Sequence, residues 1–407
     1  MEEQKGNSYP QNGQKETQKL SHFKQKQTRL VPFGIILLLF LVLSFTVFFS
    51  QQNQQTQQPA AGCCVFFSQQ NQQTQQAAGG SLPSIGGCRV FPSDNVWNYD
   101  ISHLTVDPNS TNYVNAIGAN TPLYLNPHFP YIVVPSSQPM VPIHFTAYGN
   151  ESDPGPYPIP ANAPIEAQYD NHVIVIQSGT CKLYELWAAA PQANGSWNAG
   201  TGAVFDLNSN NLRPSGWTSA DAAGLPMLPG LLRYDEIAAG SINHALRFSV
   251  PATQWSYLWP ARHIACNCSN NPNNPPMGLR FRLRASVDIS SFSTANQIIL
   301  TALKKYGMFV ADNYGTIQYP GWFPSVALDN RWNTNDLSNL GKIHGSDFEA
   351  VDESGLQVSP NSAQVSNPIA EARGLPQASA KTCICWASRP GWHVHYADQL
   401  TRASGKR

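Results

Sequence analysis

Residues 278–285 read GLRFRLRA, and their alternation decides the fold class. Leu279, Phe281, Leu283 and Ala285 fall on one side of an extended chain, with Arg280, Arg282 and Arg284 on the other, because successive strand side chains point to opposite faces. Three guanidiniums at two-residue spacing repel one another unless carboxylates, phosphates or water answer them. The pattern predicts a half-buried strand with a solvated or salt-bridged outer face. Its alternative makes Arg280, Arg282 and Arg284 a groove for an acidic polymer such as a uronate glycan.

Neighbouring stretches repeat the period. HALRFSV (244–250) sets His244, Leu246, Phe248 and Val250 against Arg247, so His244 reads either as a hydrogen-bonded core histidine or as a catalyst. In DNHVIVI (170–176) Asp170 and His172 share a face. After a turn at Ser178–Gly179, KLYELW (182–187) groups Leu183, Glu185 and Trp187, and a hairpin would gather the carboxylates. One helix is expected from Ser293 or Thr294, with Ile298, Ile299, Ala302, Leu303 and Tyr306 as its apolar stripe and Gly307 as its stop. A second, short helix follows Thr334, with Leu337 and Leu340 inward. Aromatic residues at 11 %, 29 glycines and 32 prolines favour short strands and many turns. The expectation is a mainly β fold, a β-sandwich or jelly roll with one or two short helices.

Ahead of that fold, 31–49 reads VPFGIILLLFLVLSFTVFF without a charge, which at about 1.5 Å per residue nearly matches a hydrocarbon core of about 30 Å. Lys5, Lys15, Lys19, Lys24, Lys26 and Arg29 precede it, and no Lys or Arg follows until Arg89. The positive-inside rule then keeps residues 1–30 cytoplasmic and sends the rest across a single span. A cleaved signal peptide is the competing reading, with a shorter apolar run and small residues directly after it. VFFSQQNQQTQQ occurs at 47–58 and again, unchanged, at 65–76. So polar a repeat buries too little surface to offset chain entropy, which predicts a Gln-rich disordered stalk over 50–87. A globular domain is expected over 88–351, and a linker with a Cys-containing tail over 352–407.

Zero net charge and only 12 % charged residues offer no basic field for nucleic acid. Eight cysteines, an even number, fit disulfides in an oxidising compartment. Neither Cys266/Cys268 nor Cys383/Cys385 has common zinc-knuckle spacing, and no metal or cofactor is called for.

The segment most suggestive of a site is 213–236, RPSGWTSADAAGLPMLPGLLRYDE, too rich in Pro and Gly for regular structure and too apolar for a loose loop. Ordered loops on a β scaffold commonly carry function, and this one supplies Trp217, Asp221, Arg233, Tyr234, Asp235 and Glu236. Together, D-x-H (Asp170, His172), LYEL (183–186), GWTSADAAGLP (216–226), RYDE (233–236), HALRF (244–248) and YGMFVADN (306–313) resemble a family of secreted or membrane-anchored bacterial proteins without an established activity. The likeness covers about Phe91 to Val351 and implies export and one continuous domain.

No G-x-S-x-G elbow, H-E-x-x-H helix, Walker loop or dinucleotide fingerprint occurs. What remains is carbohydrate chemistry. A glycoside hydrolase would draw its two carboxyls from Asp170, Glu185, Asp221, Asp235 and Glu236. A lyase would use His172, His244 or Tyr234 as base and Arg247 to neutralise a uronate. Trp217, Arg233, Arg280, Arg282 and Arg284 are the substrate-binding candidates. The expected partners are the membrane and a polysaccharide or cell-wall glycan. A non-catalytic glycan-binding module and a structural envelope protein are the alternatives.

Overall fold

The computed structural model describes residues 82–167, 170–264, 268–314 and 322–366. The expected membrane span, nearly all of the stalk, the tail beyond 366, and Cys63, Cys64, Cys266, Cys383 and Cys385 lie outside the described residues. Among the described residues no helix is long and apolar enough to cross a membrane.

The fold is mainly β with a few short helices. In chain order the strands of its two larger sheets are β1 (Asn126–Phe129), β2 (Ile132–Val134), β3 (Val173–Gln177), β4 (Lys182–Trp187), β5 (Thr201–Asp206), β6 (Leu246–Val250), β7 (Arg280–Leu283), β8 (Met308–Asn313), β9 (Phe323–Ala327) and β10 (Phe348–Ala350). One sheet has the order β5-β4-β3-β2 and the other β10-β7-β8-β6-β9-β1. β6 lies parallel to β8 and antiparallel to β9, so the larger sheet is mixed. The expected hairpin forms from β3 and β4, with Ile174 opposite Glu185.

The predicted helices take their places. Thr294–Lys305 starts at Ser293, whose side chain accepts from the Asn296 N–H, and buries Ile299, Ala302 and Leu303. Thr334–Ser338 buries Leu337.

One hydrophobic cluster joins the two sheets, taking Ile174, Ile176, Leu183 and Ala203 from the smaller and Leu246, Phe248, Val310 and Val326 from the larger. The other face of the smaller sheet, through Val173, Val175 and Leu186, packs with Tyr157, Trp197 and Ala199 in a second cluster. Within the main core Trp322 stacks between Phe248 and Phe348, at 5.5 and 4.8 Å between ring centroids.

The arginine strand corrects one expectation. Every residue of β7 is buried, so the face carrying Arg280 and Arg282 is interior and not an outer surface. The N-terminal segment covers it: Arg280 donates to the Val96 and Tyr99 carbonyls and Arg282 to those of Ile101 and Leu104. Alternation showed two chemically different faces; it could not show that a segment about 180 residues away supplies carbonyls to the charged one.

Chain beyond both expected boundaries also belongs to the core. Ile85 lies before it, and Leu356, Ala363 and Val365 within the expected linker are buried in the main cluster. A disulfide joins Cys88 to Cys181 and so fastens the N-terminal segment to the β3–β4 turn.

Candidate functional site: a polar network around Arg247

The centre of the site is made by a slip in register. β6 and β8 pair Phe248 with Val310 and then Ser249 with Asp312, leaving Ala311 as an extra residue. Because side chains alternate with period two, this bulge moves Asp312 onto the face of β6 that carries Arg247 and Ser249. Without the slip, Asp312 would lie on the side of Phe248.

Arg247 is only 2 % exposed. Its Nε donates to Asp221 Oδ2 at 2.7 Å and its Nη1 to the Ser325 hydroxyl on β9. Its guanidinium also lies over the Phe129 ring, 5.7 Å from the centroid. Asp221 is fixed in turn by accepting the Ala223 N–H through Oδ1. From the facing sheet, Glu185 reaches the same loop and accepts the Met227 and Leu228 N–H groups at 2.8–3.0 Å. Gly230 permits that approach, since a Cβ there would sit 2.9 Å from Arg247 Cβ and 2.8 Å from the Trp97 ring.

The second arm of the network starts at Asp170-Asn171-His172. Asn171 adopts φ +51°, a left-handed conformation that asparagine tolerates better than most residues, and turns the chain into β3. His172 is thereby buried, its Nδ1 2.5 Å from Glu166 Oε2 and its Nε2 3.1 Å from the Ala220 carbonyl. Glu166 Oε1 faces His128 Nε2 at 3.5 Å. Asp170 is exposed and Asp312 half-buried, so at these two carboxyls the network meets the surface.

Charge at the centre is unbalanced. Glu185, Asp221 and Asp312 all interact with the one guanidinium of Arg247. Burial, then repulsion from Asp221, pushes the Asp312 carboxyl up to about 7; Arg247 opposes this and Asp170 adds to it. Burial likewise pushes Glu185 up to about 7 against its two backbone donors, and raises Asp221 against the pull of Arg247. Burial would make His172 a weaker base, but the hydrogen bond and charge of Glu166 outweigh it and raise the ring's pKa. For His128 burial prevails and lowers it.

No family model, curated protein or solved structure matches the chain. The chemistry therefore rests on the residues themselves.

Of the residues singled out in the sequence, Asp170, His172, Glu185, Asp221 and Arg247 converge here. The others stand apart. Arg233, Glu236 and His244 cluster at the start of helix Tyr234–Ala239: Arg233 Nη2 lies 2.5 Å and His244 Nε2 2.9 Å from Glu236 Oε1. His244 is fully buried, and its Nδ1 also donates to the Ala245 carbonyl. Tyr234 packs on Trp332 under Arg331, and Arg331 pairs with exposed Asp235. Trp217 lies under Arg213, whose own partner is Asp153. Arg280 pairs with Glu353, while Arg282 and Arg284 share Glu349.

Sequence reading missed His128, Glu166, Asp312 and Ser325. Asp312 alone left a local signal, a carboxylate ending the apolar run Met308-Phe-Val-Ala. Among the described residues no group of three or more His, Cys, Asp or Glu has metal-binding geometry.

Proposed function

We propose that the chain is a membrane-tethered, extracytoplasmic glycan hydrolase in which Asp312 and Asp170 flank the scissile bond. Glycosidic cleavage uses one carboxyl that gives a proton to the leaving oxygen and a second that acts as nucleophile or activates water. The observation that carries the reading is the bulge that aims half-buried Asp312 toward the Arg247–Asp221 pair, within electrostatic reach of exposed Asp170. Asp312 is the acid, since its surroundings favour the protonated form near neutral pH; Asp170 is the second carboxyl.

Carbohydrate as the substrate draws support from the row running across the sheet from Asp312. Ser249 is paired with Asp312 on one side and with Phe323 on the other, so the three share a face. Tyr124, 41 % exposed, stacks on Phe323 at 5.6 Å. Two strand spacings put this aromatic surface roughly 10 Å from Asp312, a distance suited to a sugar ring beside the one being cleaved. A uronate lyase fits less well, because Arg247 is buried and engaged with Asp221 and Ser325.

The Cys88–Cys181 disulfide supports an oxidising compartment, and the cations preceding the apolar stretch 31–49 support an inner N-terminus and a single span. Two sheets contributing to a single core support a sandwich-like arrangement for the exported domain.

The test is turnover of a panel of bacterial-wall and plant polysaccharides by the full chain, with Asp312→Asn and Asp170→Asn as variants. Cleavage that both substitutions abolish is the expected result. Tight binding of a polymer without cleavage would instead make the chain a binding module, and cleavage undiminished in both variants would remove Asp312 and Asp170 from the chemistry.

A further inference from the structure

Each ring nitrogen of buried His172 faces an acceptor, as is also true of His244, but only His172 bridges to the 213–232 loop. Nε2 faces the Ala220 carbonyl, which can only accept. Nδ1 faces Glu166 Oε2, toward which the Asp170 and His172 backbone N–H groups also point, at 3.4 Å each, as suits an ionised carboxylate. A neutral imidazole has one N–H and satisfies one of these two acceptors; an imidazolium satisfies both. The ring is 5 % exposed and Glu166 1 %, so water does not readily replace a lost donor.

We propose that His172 is an ionic latch, a doubly protonated ring that ties Ala220 to Glu166 and holds the 213–232 loop on the smaller sheet until its proton leaves. The loop is the partner that yields. Glu166 is buried and held by the Asp170 and His172 backbone N–H groups of its own segment, whereas Ala220 lies in an irregular segment next to Asp221. The charged groups facing the ring come from every neighbouring element: Glu166 and Asp170 from the segment before β3, His128 from β1, Asp221 from the loop and Arg247 from β6. The carboxylates favour the charged ring and Arg247 opposes it. The balance raises the pKa of His172, so the latch is closed below its ordinary value of 6.5 and opens as pH rises through the folded one. Opening releases Asp221 and with it the partner of Arg247. Nothing in this mechanism requires that the chain cleave glycans.

Two measurements on the full chain in detergent test it. In the first, ring nitrogens of ¹⁵N-histidine-labelled protein are followed by NMR, and the His172 signals are assigned as those lost in His172→Gln. An imidazolium pattern persisting at neutral pH is expected, and Glu166→Gln should turn it neutral. A neutral His172 ring in the native chain at that pH overturns the latch.

In the second, hydrogen exchange of the 213–232 amides is corrected for its intrinsic pH dependence. From the ring's ordinary pKa of 6.5 up to its raised folded value, opening should rise about tenfold per pH unit and then level off, and Glu166→Gln should shorten that rise by bringing the plateau to lower pH. Strand 280–283 serves as the control and should stay protected throughout. Glu185 also titrates near 7 beneath this loop, so Glu185→Gln is measured as well and should keep the transition. Corrected exchange that does not vary with pH overturns the proposal. So does a transition lost in Glu185→Gln, or loosening of the loop and strand 280–283 together, which is general unfolding.

Discussion

Two arginine sites in this molecule are built from the same materials and come out differently. Arg280, fully buried, has Glu353 at 2.8 Å and donates to the carbonyls of Val96, Tyr99 and Tyr306. Each guanidinium nitrogen has an acceptor, and one carboxylate answers one guanidinium. Arg247, equally buried, interacts with Asp221, Asp312 and Glu185 at once. Burial, with repulsion from Asp221 added to it, raises two carboxyls there to about 7 each. A matched ion pair supports a fold; an unmatched one stores protons that chemistry can use.

The comparison is broken or sharpened by substitution at both ends. The largest effect is expected from Asp312→Asn, which should lower glycan turnover by about 10² to 10⁴-fold, the usual contribution of a general acid. Thermal stability should hold or rise, since the change removes one of the repelling carboxyls. Loss of folding in this variant would make Asp312 structural.

Arg280→Met reverses that profile. Removing one member of a buried, hydrogen-bonded pair costs about 3–5 kcal/mol, so the melting temperature should drop sharply while turnover per folded molecule stays the same. Equal losses of turnover in both variants would erase the distinction between the two sites.

Glu185→Gln tests surplus acid through pH. The folded carboxyl titrates at about 7 against 4.5 for the free group, so the native state holds its proton more tightly than the unfolded chain does. The stability this provides is complete below 4.5 and is lost as pH rises through 7. Denaturant unfolding should find Glu185→Gln close to wild type in acid and more stable by up to about 3 kcal/mol at mildly alkaline pH. Parallel curves for the two proteins would show that Glu185 titrates alike in the folded and unfolded chain.

The smallest effect belongs to Arg284→Ala. This side chain is 42 % exposed, and Glu349 retains Arg282 as a partner. A change within about 1 kcal/mol is expected from chemical denaturation; a cost as large as that of Arg280→Met would put Arg284 in the interior network.

Local pattern was enough to read much of the fold. GLRFRLRA, HALRFSV and the DNHVIVI–KLYELW pair are strands because their period is two, and the 294–305 helix starts at Ser293 and buries Ile299, Ala302 and Leu303 of its predicted stripe, with Ile298 half-buried. Patterning also put Asp170 and His172 on one face and pointed to a hairpin that would bring Glu185 near, and the 213–236 segment contributed Asp221 to the same site. All of these readings depend on residues a few positions apart, where backbone geometry dictates which side chains meet.

Tertiary structure decided the rest. Alternation shows that Arg280 and Arg247 each point away from an apolar face, but not what covers them, and the coverings are the 96–104 segment in one case and the 213–232 loop in the other. Asp312 stands beside Arg247 only because one residue bulges between parallel strands more than fifty residues apart. Glu166 and His128 matter only because the packed core brings their chain segments to His172. The sequence by itself determined the quoted strands and the 294–305 helix, since those depend on short-range sterics and burial. Which charges are matched and which are left in excess depends on contacts between distant segments, and those exist only in the folded chain.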